Sequence, residues 1–235
     1  MSRRDELAES LVEVRARIAA ACAAAGRSPD EVELLAVTKT FPASDVAILS
    51  DLGLTAFAEN RDQEAGAKVA EFAELRPDAP ARWHMVGHVQ RNKARSVTAW
   101  ADRIDSVDST RLADALAKAA ADRPAPLEVL IQVSIDGDPA RGGCPLPDLP
   151  KLAEHVARSS ELLLRGVMTV APLNMNPADA FYVLADEVTR LRHDHPAATV
   201  ISAGMSGDLE DAIAHGSTCV RVGTALLGGR RLASP

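Results

Sequence analysis

The sequence predicts an α/β protein that folds as a single (β/α)8 TIM barrel with an extra N-terminal helix, and three observations lead to this expectation. The 235-residue chain is 47% hydrophobic and 25% charged, which is ordinary globular composition. Short runs rich in Val, Ile and Leu alternate with longer amphipathic runs, as in βα repeats. The length suits one barrel, and no linker rich in Pro, Gly or Ser divides residues 1–235, so we expect one domain.

Eight short apolar segments are predicted to be strands. Several are apolar on both faces, which a parallel sheet covered by helices requires. In chain order they are residues 32–38, 55–59, 82–87, 103–108, 127–134, 164–170, 198–203 and 218–224. Eight strands alternating with helices favour a closed barrel, and an open doubly wound sheet of six or seven strands is the alternative.

The amphipathic segments around these strands are predicted to be helices. One helix, roughly residues 4–25, precedes the first strand. Ser109 is predicted to cap a later helix, and Pro177 lies near the first turn of the next long one. Gly216 is predicted to end the last amphipathic helix, for which Ser206 is the expected N-cap.

The net charge and the cysteine content disfavour several classes of protein. A formal net charge of -7 disfavours nucleic-acid binding, because cations placed against phosphates dominate that affinity. Cys22, Cys144 and Cys219 are widely spaced and form no CxxC pair, which favours a reducing cytoplasm. The start lacks the apolar core of a signal peptide, and no segment approaches the roughly 20 apolar residues of a membrane span. We therefore expect a cytoplasmic protein that binds neither nucleic acid nor membranes.

Lys39 is the first candidate for a functional side chain. It follows the mostly apolar segment ELLAVT, and Pro42 ends the run. Side chains at the carboxyl ends of barrel strands converge on one mouth. Position alone would also fit a solvated lysine. A partly desolvated amine among apolar residues, however, loses proton affinity and becomes nucleophilic toward an aldehyde, which makes Lys39 a candidate for a Schiff base.

Two turns of small residues near the end of the chain are candidate anion sites. The first is SAGMSG, from Ser202, and the second is RVGT, from Arg221. Each could be an ordinary βα turn, but such turns also expose backbone N–H groups to an anion. Phosphate sites in these barrels are often built from the loops after strands seven and eight. The occurrence of both turns in those two places therefore favours a phosphate ligand.

Arg221 lies within the last predicted strand and is expected to point into the barrel. A buried guanidinium needs an acceptor, and the ring nitrogen of a ligand would serve. A lysine, a phosphate cradle and an inward arginine together describe a pocket for pyridoxal 5′-phosphate (PLP). In this pocket Lys39 would form the Schiff base, and the two turns would hold the phosphate.

Five motifs, in order from about Leu35 to Gly228, carry a resemblance to a known family. They are AVTKTFP, AENRDQEAGAK, WHMVGHVQRNK, LRGVMTVAP and SAGMSGDLEDAIAHGSTCVRVGTALLG. Together they resemble the pyridoxal phosphate homeostasis family, whose members are similar in fold to the N-terminal barrel of alanine racemase. The resemblance implies a PLP-binding barrel of fold type III. It also implies a role in intracellular PLP homeostasis, with PLP held as a Schiff base and without robust catalysis.

The resemblance also implies which residues bind the cofactor. They are Lys39, Asn60, Ser202, Ser206, Arg221, Gly223 and Thr224. The cofactor lysine falls on Lys39, Arg221 is the ring-nitrogen partner, and the serines, Gly223 and Thr224 contact the phosphate. The chain departs from the family pattern at Ala58, where Gly is usual, and at Arg61, where an aromatic residue is usual.

Fold alone does not establish function, so three hypotheses stay open: a non-enzymatic PLP carrier, a PLP-dependent enzyme such as an amino-acid racemase, and a Schiff-base aldolase without cofactor. Racemisation needs two bases, and in racemase-like enzymes the second is a tyrosine from another domain. The one tyrosine, Tyr182, falls in an amphipathic helix, where packing is expected. Arg221 can only donate, which would keep the ring nitrogen unprotonated and weaken the cofactor as an electron sink, although racemases of this fold tolerate an arginine there. These points favour a carrier with no catalytic residue, with PLP-dependent apoenzymes as possible recipients. A monomer is expected because the second domain that helps racemases to dimerise is not predicted here.

The remaining polar candidates receive structural interpretations. His84 and His88 lack an evident third ligand, so no metal site is expected. The three cations of QRNKAR are expected to form a solvated helix face. Glu59 could be an inward-facing acid or part of a salt bridge at the strand end, and both alternatives stay open.

Overall fold

A computed structural model describes residues 1–138 and 141–229 of the protein. Residues 139–140 and 230–235 of the predicted domain lie outside the described part. The strands in chain order are β1 (Glu33–Val37), β2 (Ala56–Glu59), β3 (Arg82–Met85), β4 (Arg103–Val107), β5 (Leu127–Ser134), β6 (Cys144–Pro145), β7 (Leu162–Met168), β8 (Val200–Ser202) and β9 (Cys219–Val222).

The strands close into a parallel barrel, as predicted. Eight of them pair in the order β1, β2, β3, β4, β5, β7, β8, β9, and β9 pairs back with β1. The β4–β5 pairing removes the edge that an open sheet would have, so the doubly wound alternative is wrong. The two-residue strand β6, which the sequence analysis missed, lies beside β5 with Cys144 opposite Val133.

Helices surround the barrel. Within the described residues they are α1 (Arg3–Ala24), α2 (Ala43–Asp51), α3 (Asp62–Leu75), α4 (Ala94–Thr98), α5 (Thr110–Ala120), α6 (Leu149–Ala157), α7 (Pro177–Asp194), α8 (Leu209–Ala214) and α9 (Thr224–Leu227). Helix α1 is the predicted extra helix, and Ser2 and Asp5 form its capping box. None of the described helices is both long enough and apolar enough to span a membrane.

The predicted helix caps were right in one case and wrong in another. The hydroxyl of Ser109 accepts a hydrogen bond from the Leu112 N–H at 3.4 Å, which confirms it as the N-cap of α5. Ser206 is not the N-cap of α8, because Asp208 occupies that position. The Asp208 carboxylate instead closes the preceding turn by accepting the Met205 N–H at 2.6 Å.

The outer layer, between strands and helices, is apolar. Phe57 of β2 packs against Phe72 of α3 and Trp83 of β3, with ring centroids 5.4–6.0 Å apart. The three cysteines are buried and free. Tyr182 differs from expectation, since its side chain is 68% exposed and contacts the edge of His215 rather than the core.

The barrel interior is partly polar. Leu35, Ala56, Ala58 and Cys219 form its apolar cluster. Arg103 and Asp105 make a buried ion pair beside them, with Nε and Oδ1 2.7 Å apart. Burial opposes both charged forms, yet each partner stabilises the other, so the pKa of Asp105 stays below its usual value.

Candidate functional site at the barrel mouth

The predicted lysine, asparagine and C-terminal turn lie at three neighbouring strand ends. Strand β1 lies between β2 and β9, with Val37 opposite Ala58 and Ala36 opposite Val222. Because all three strands are parallel, the residues that follow them emerge at the same mouth. Lys39 therefore lies between Asn60 and the Gly223–Thr224 turn. A Cβ added to Gly223 would lie 3.4 Å from the Val37 carbonyl oxygen, which shows how closely the last turn approaches β1.

Lys39 follows β1 at the spacing of the interior-facing side chains of that strand. Leu35 and Val37 both contact the interior cluster, and side chains two residues apart point to the same face of a strand. The Lys39 side chain is exposed. Within the described residues, its amine has neither a hydrogen-bond nor an ion-pair partner, so it is free to react with a ligand at the mouth.

A tight turn holds Lys39 at this position. The Phe41 N–H donates to the Thr38 carbonyl at 3.1 Å, which closes a β-turn with Lys39 and Thr40 at its centre. Thr40 has a φ of 69°, the left-handed value that the third position of a type II turn requires. Glycine is the usual residue at that position, because a β-branched side chain is strained there.

A buried ion pair lies directly behind this turn. The Lys68 ammonium of α3 is 2.6 Å from Glu59 Oε1 and donates to the Thr38 carbonyl at 2.7 Å. The Thr38 hydroxyl donates to the same carboxylate oxygen at 2.6 Å. Glu59 is therefore the salt-bridge partner, not an inward-facing acid, and its Oε2 has no partner among the described residues.

Close backbone packing fixes Asn60, the residue after Glu59. A Cβ on Gly87 would overlap the Asn60 carbonyl oxygen, so only glycine fits at this point of the β3 loop. The Gly87 carbonyl accepts a hydrogen bond from the Ser106 hydroxyl at 2.7 Å. The backbone at Asn60 is thus held by the two neighbouring strand ends.

Arg221 points into the barrel, as expected, and it is almost fully buried. Its Nη1 donates to the Ser202 carbonyl at 2.7 Å and to the Ser202 hydroxyl at 2.9 Å. Its Nη2 donates to the Thr169 carbonyl at 2.6 Å. Burial lowers the pKa of Arg221, and no carboxylate of the described residues forms an ion pair with it. A buried cation bonded only to neutral oxygens suits a neutral acceptor such as a ring nitrogen.

The two small-residue turns meet each other. The Ser206 hydroxyl accepts the Ala225 N–H, at the start of α9, at 3.4 Å. Thr224 is exposed at the same helix start. Ser202 lies deeper, because its buried hydroxyl faces Arg221 rather than the turn surface. The structure thus brings Ser206, Gly223 and Thr224 together and separates Ser202 from them.

The acidic residues near these turns do not crowd the candidate phosphate site. Asp208 is engaged with the Met205 N–H, and Glu210 pairs with Arg17 of α1 at 2.8 Å. Arg17 also donates to the Ser206 carbonyl at 3.0 Å. The N-terminal helix therefore neutralises Glu210 and supports the Ser206 turn at the same time.

The two histidines have different surroundings. His84 is fully buried in the barrel, whereas His88 is exposed, with its Nδ1 3.7 Å from Asp108 Oδ2. In residues 1–138 and 141–229, no group of three His, Cys, Asp or Glu side chains is arranged to hold a metal ion.

This barrel with a lysine at the end of its first strand defines a class of protein. Residues 10–231 match the family described as alanine racemase, N-terminal domain, and the chain belongs to that family. The fold agrees, because the alanine racemase of Corynebacterium glutamicum superposes with a TM-score of 0.70 over 99% of this chain and 62% of that chain, at 14% identity.

Within that family the chain groups with the pyridoxal phosphate homeostasis proteins. It is 48% identical over 247 residues to the protein of that name from Mycobacterium leprae, covering 99% of this chain and 96% of the relative. The Escherichia coli protein of that name is 40% identical over 238 residues, with coverage of 96% and 97%. PipY of Synechococcus elongatus, in its structure with PLP bound, has a TM-score of 0.78 at 33% identity, covering 94% of this chain and 100% of PipY.

Proposed function

We propose that this protein binds PLP at the barrel mouth and serves in PLP homeostasis without robust catalysis. The observation that carries the proposal is the position of Lys39, which follows β1 beside the Gly223–Thr224 turn and whose amine has no partner among the described residues. The names of the relatives and the PLP-bound structure of PipY support the same conclusion.

The residues at the mouth fit the chemistry of PLP. When bound, PLP would supply an aldehyde that reacts with primary amines. Lys39 would provide that amine. Ser206, Gly223 and Thr224 offer hydroxyl and N–H donors to the phosphate, and Asn60 borders the site on the β2 side. Arg221 would donate to the ring nitrogen, and Ser202 orients the guanidinium.

Two features favour a carrier over a racemase. A guanidinium does not give up its proton, so a ring nitrogen bonded to Arg221 would stay unprotonated and carbanion stabilisation would be limited, although racemases of this fold tolerate an arginine at this place. Tyr182, the one tyrosine of the chain, lies on α7 in the outer layer, against His215, which directly follows α8. The relatives are also named for homeostasis and not for a reaction.

The proposal extends to the organisation of the protein. Residues 1–235 form one domain that acts as a cytoplasmic monomer, and PLP-dependent apoenzymes receive the cofactor from it. Three buried, free cysteines suit a reducing compartment.

The test is covalent trapping of PLP on the purified protein. The protein is incubated with PLP, reduced with borohydride and digested, and the peptide that carries the pyridoxyl group is identified by mass spectrometry. We expect the label on Lys39, complete loss of the Schiff-base absorbance in K39A, and no change in K118M, whose lysine is exposed on α5. A K39A protein that still fixes PLP covalently would refute the assignment. Exchange of the α-protons of amino acids that depends on Lys39 would favour the enzyme.

A further inference from the structure

We propose that Lys68 and Glu59 are positioning residues for Lys39, and that they hold its turn in the conformation that presents the amine to the cofactor. This inference rests on the proposed function of Lys39. It gives a purpose to a buried ion pair that contacts neither the ring-nitrogen partner nor the phosphate turns.

The contacts of the pair converge on the residue before Lys39. Lys68 binds the main chain of Thr38, and Glu59 binds its side chain. The Lys68 side chain is 9% exposed and that of Glu59 is fully buried, so both contacts are shielded from water. A charged donor on a buried carbonyl is one of the stronger hydrogen bonds available to a protein.

The turn has a reason to need this support. Thr40 takes a left-handed φ that a β-branched residue disfavours, so the turn would relax if it were not restrained. Relaxation would rotate the peptide group that joins Lys39 to Thr40. The Thr38 carbonyl accepts the Phe41 N–H that closes the turn as well as the Lys68 ammonium, so the ion pair acts on the bond that defines the turn.

A purely structural role accounts poorly for the pair. Lys68 shares the buried stripe of α3 with Ala65 and Phe72, where an apolar side chain would pack without a desolvation cost. Buried ion pairs can often be replaced by apolar residues without loss of stability. What an apolar pair would not supply is a donor to the Thr38 carbonyl.

The experiment compares PLP retention in the wild type, E59Q/K68M and E59Q/K68M/T40G. E59Q/K68M removes both charges together, so no buried charge is left unpaired. T40G is then added to the double variant, because glycine adopts the left-handed φ without strain. The rate of PLP release and the fraction of PLP fixed to Lys39 by borohydride are measured at temperatures where circular dichroism shows each protein folded. K118M is the matched lysine control.

We expect E59Q/K68M to release PLP roughly tenfold faster, the order of effect that one lost hydrogen bond to a charged group produces. T40G should return the rate to within about twofold of the wild type, since the strain that the pair restrains is then absent. A general loosening of the barrel would not be repaired by a change at residue 40.

Two outcomes would overturn the inference: unchanged release in the folded double variant, or accelerated release that T40G fails to correct. If E59Q/K68M does not fold, E59D provides the same test, because it keeps both charges and withdraws the carboxylate by one methylene. Absence of any label on Lys39 in the wild type would instead refute the proposed function itself.

Discussion

The two sides of the barrel mouth are supported by ion pairs of opposite character. On the lysine side, Glu59 and Lys68 are buried and lie 2.6 Å apart. On the phosphate side, Arg17 and Glu210 lie 2.8 Å apart, with side chains that are 37% and 50% exposed. In our proposal the lysine side must orient one flexible side chain, whereas the other side holds a phosphate with short turns that Arg17 supports from the surface. The buried pair thus lies on the side where, in that proposal, one amine has to be oriented.

The largest expected effect comes from removing only one partner of the buried Glu59–Lys68 pair. K68A should lower the free energy of unfolding by about 3–5 kcal/mol, because it leaves the Glu59 carboxylate buried without its cation. E59Q/K68M should cost far less, since no charge is stranded. Urea unfolding of both variants measures the difference. Equal losses in the two would show that the pair behaves like ordinary packing.

A smaller effect is expected from His84 in the barrel interior, which should make the stability of the protein depend on pH. Burial, reinforced by Arg103, lowers the pKa of His84 to about 3, and neither ring nitrogen has a partner among the described residues. An unfolded histidine has a pKa near 6.5, so the unfolded chain binds the extra proton first as the pH falls. The stability that comes from keeping His84 neutral is therefore fully present above about pH 6.5 and is lost progressively toward pH 3. The loss in the free energy of unfolding reaches about 2 kcal/mol at pH 5.

The histidine prediction is checked with H84F, which cannot titrate. The free energy of unfolding of the wild type should fall more steeply between pH 6.5 and pH 4 than that of H84F. Parallel curves would mean that carboxylates elsewhere dominate acid unfolding.

The smallest expected effect comes from the exposed pair. R17A should change the free energy of unfolding by about 0–1 kcal/mol, because water and salt screen this ion pair. Without Arg17, the charge of Glu210 is no longer neutralised. PLP affinity should therefore fall measurably at low salt and change little at high ionic strength, where salt screens that charge. Fluorescence titrations with PLP at two salt concentrations provide the measurement. A loss as large as that of K68A would remove the distinction between the two sides.

The sequence predicted the barrel well because its signals are local. All eight predicted strands are found, since continuous apolar runs between amphipathic segments have few other solutions. The inward direction of Arg221 also follows from its place in an apolar strand. Glu59 was left between two alternatives, because its partner lies on another element.

The parts that were missed depend on competition between residues. Ser206 is a good N-cap by type, but Asp208 two residues later takes that position. The strained Thr40 was not foreseen, because its residue type argues against a left-handed φ. Lys68 did carry a readable signal, since a lysine on the helix stripe of Ala65 and Phe72 must either be exposed or find a buried acceptor.

The pairing of β1 with β9 has a consequence for folding. Lys39 follows the first strand of the barrel, and the glycine turn beside it follows the last. The proposed pocket is therefore complete only once these two strands, the most distant in the barrel's sequence order, have paired. Retention of PLP should accordingly be acquired in the same step that closes the barrel.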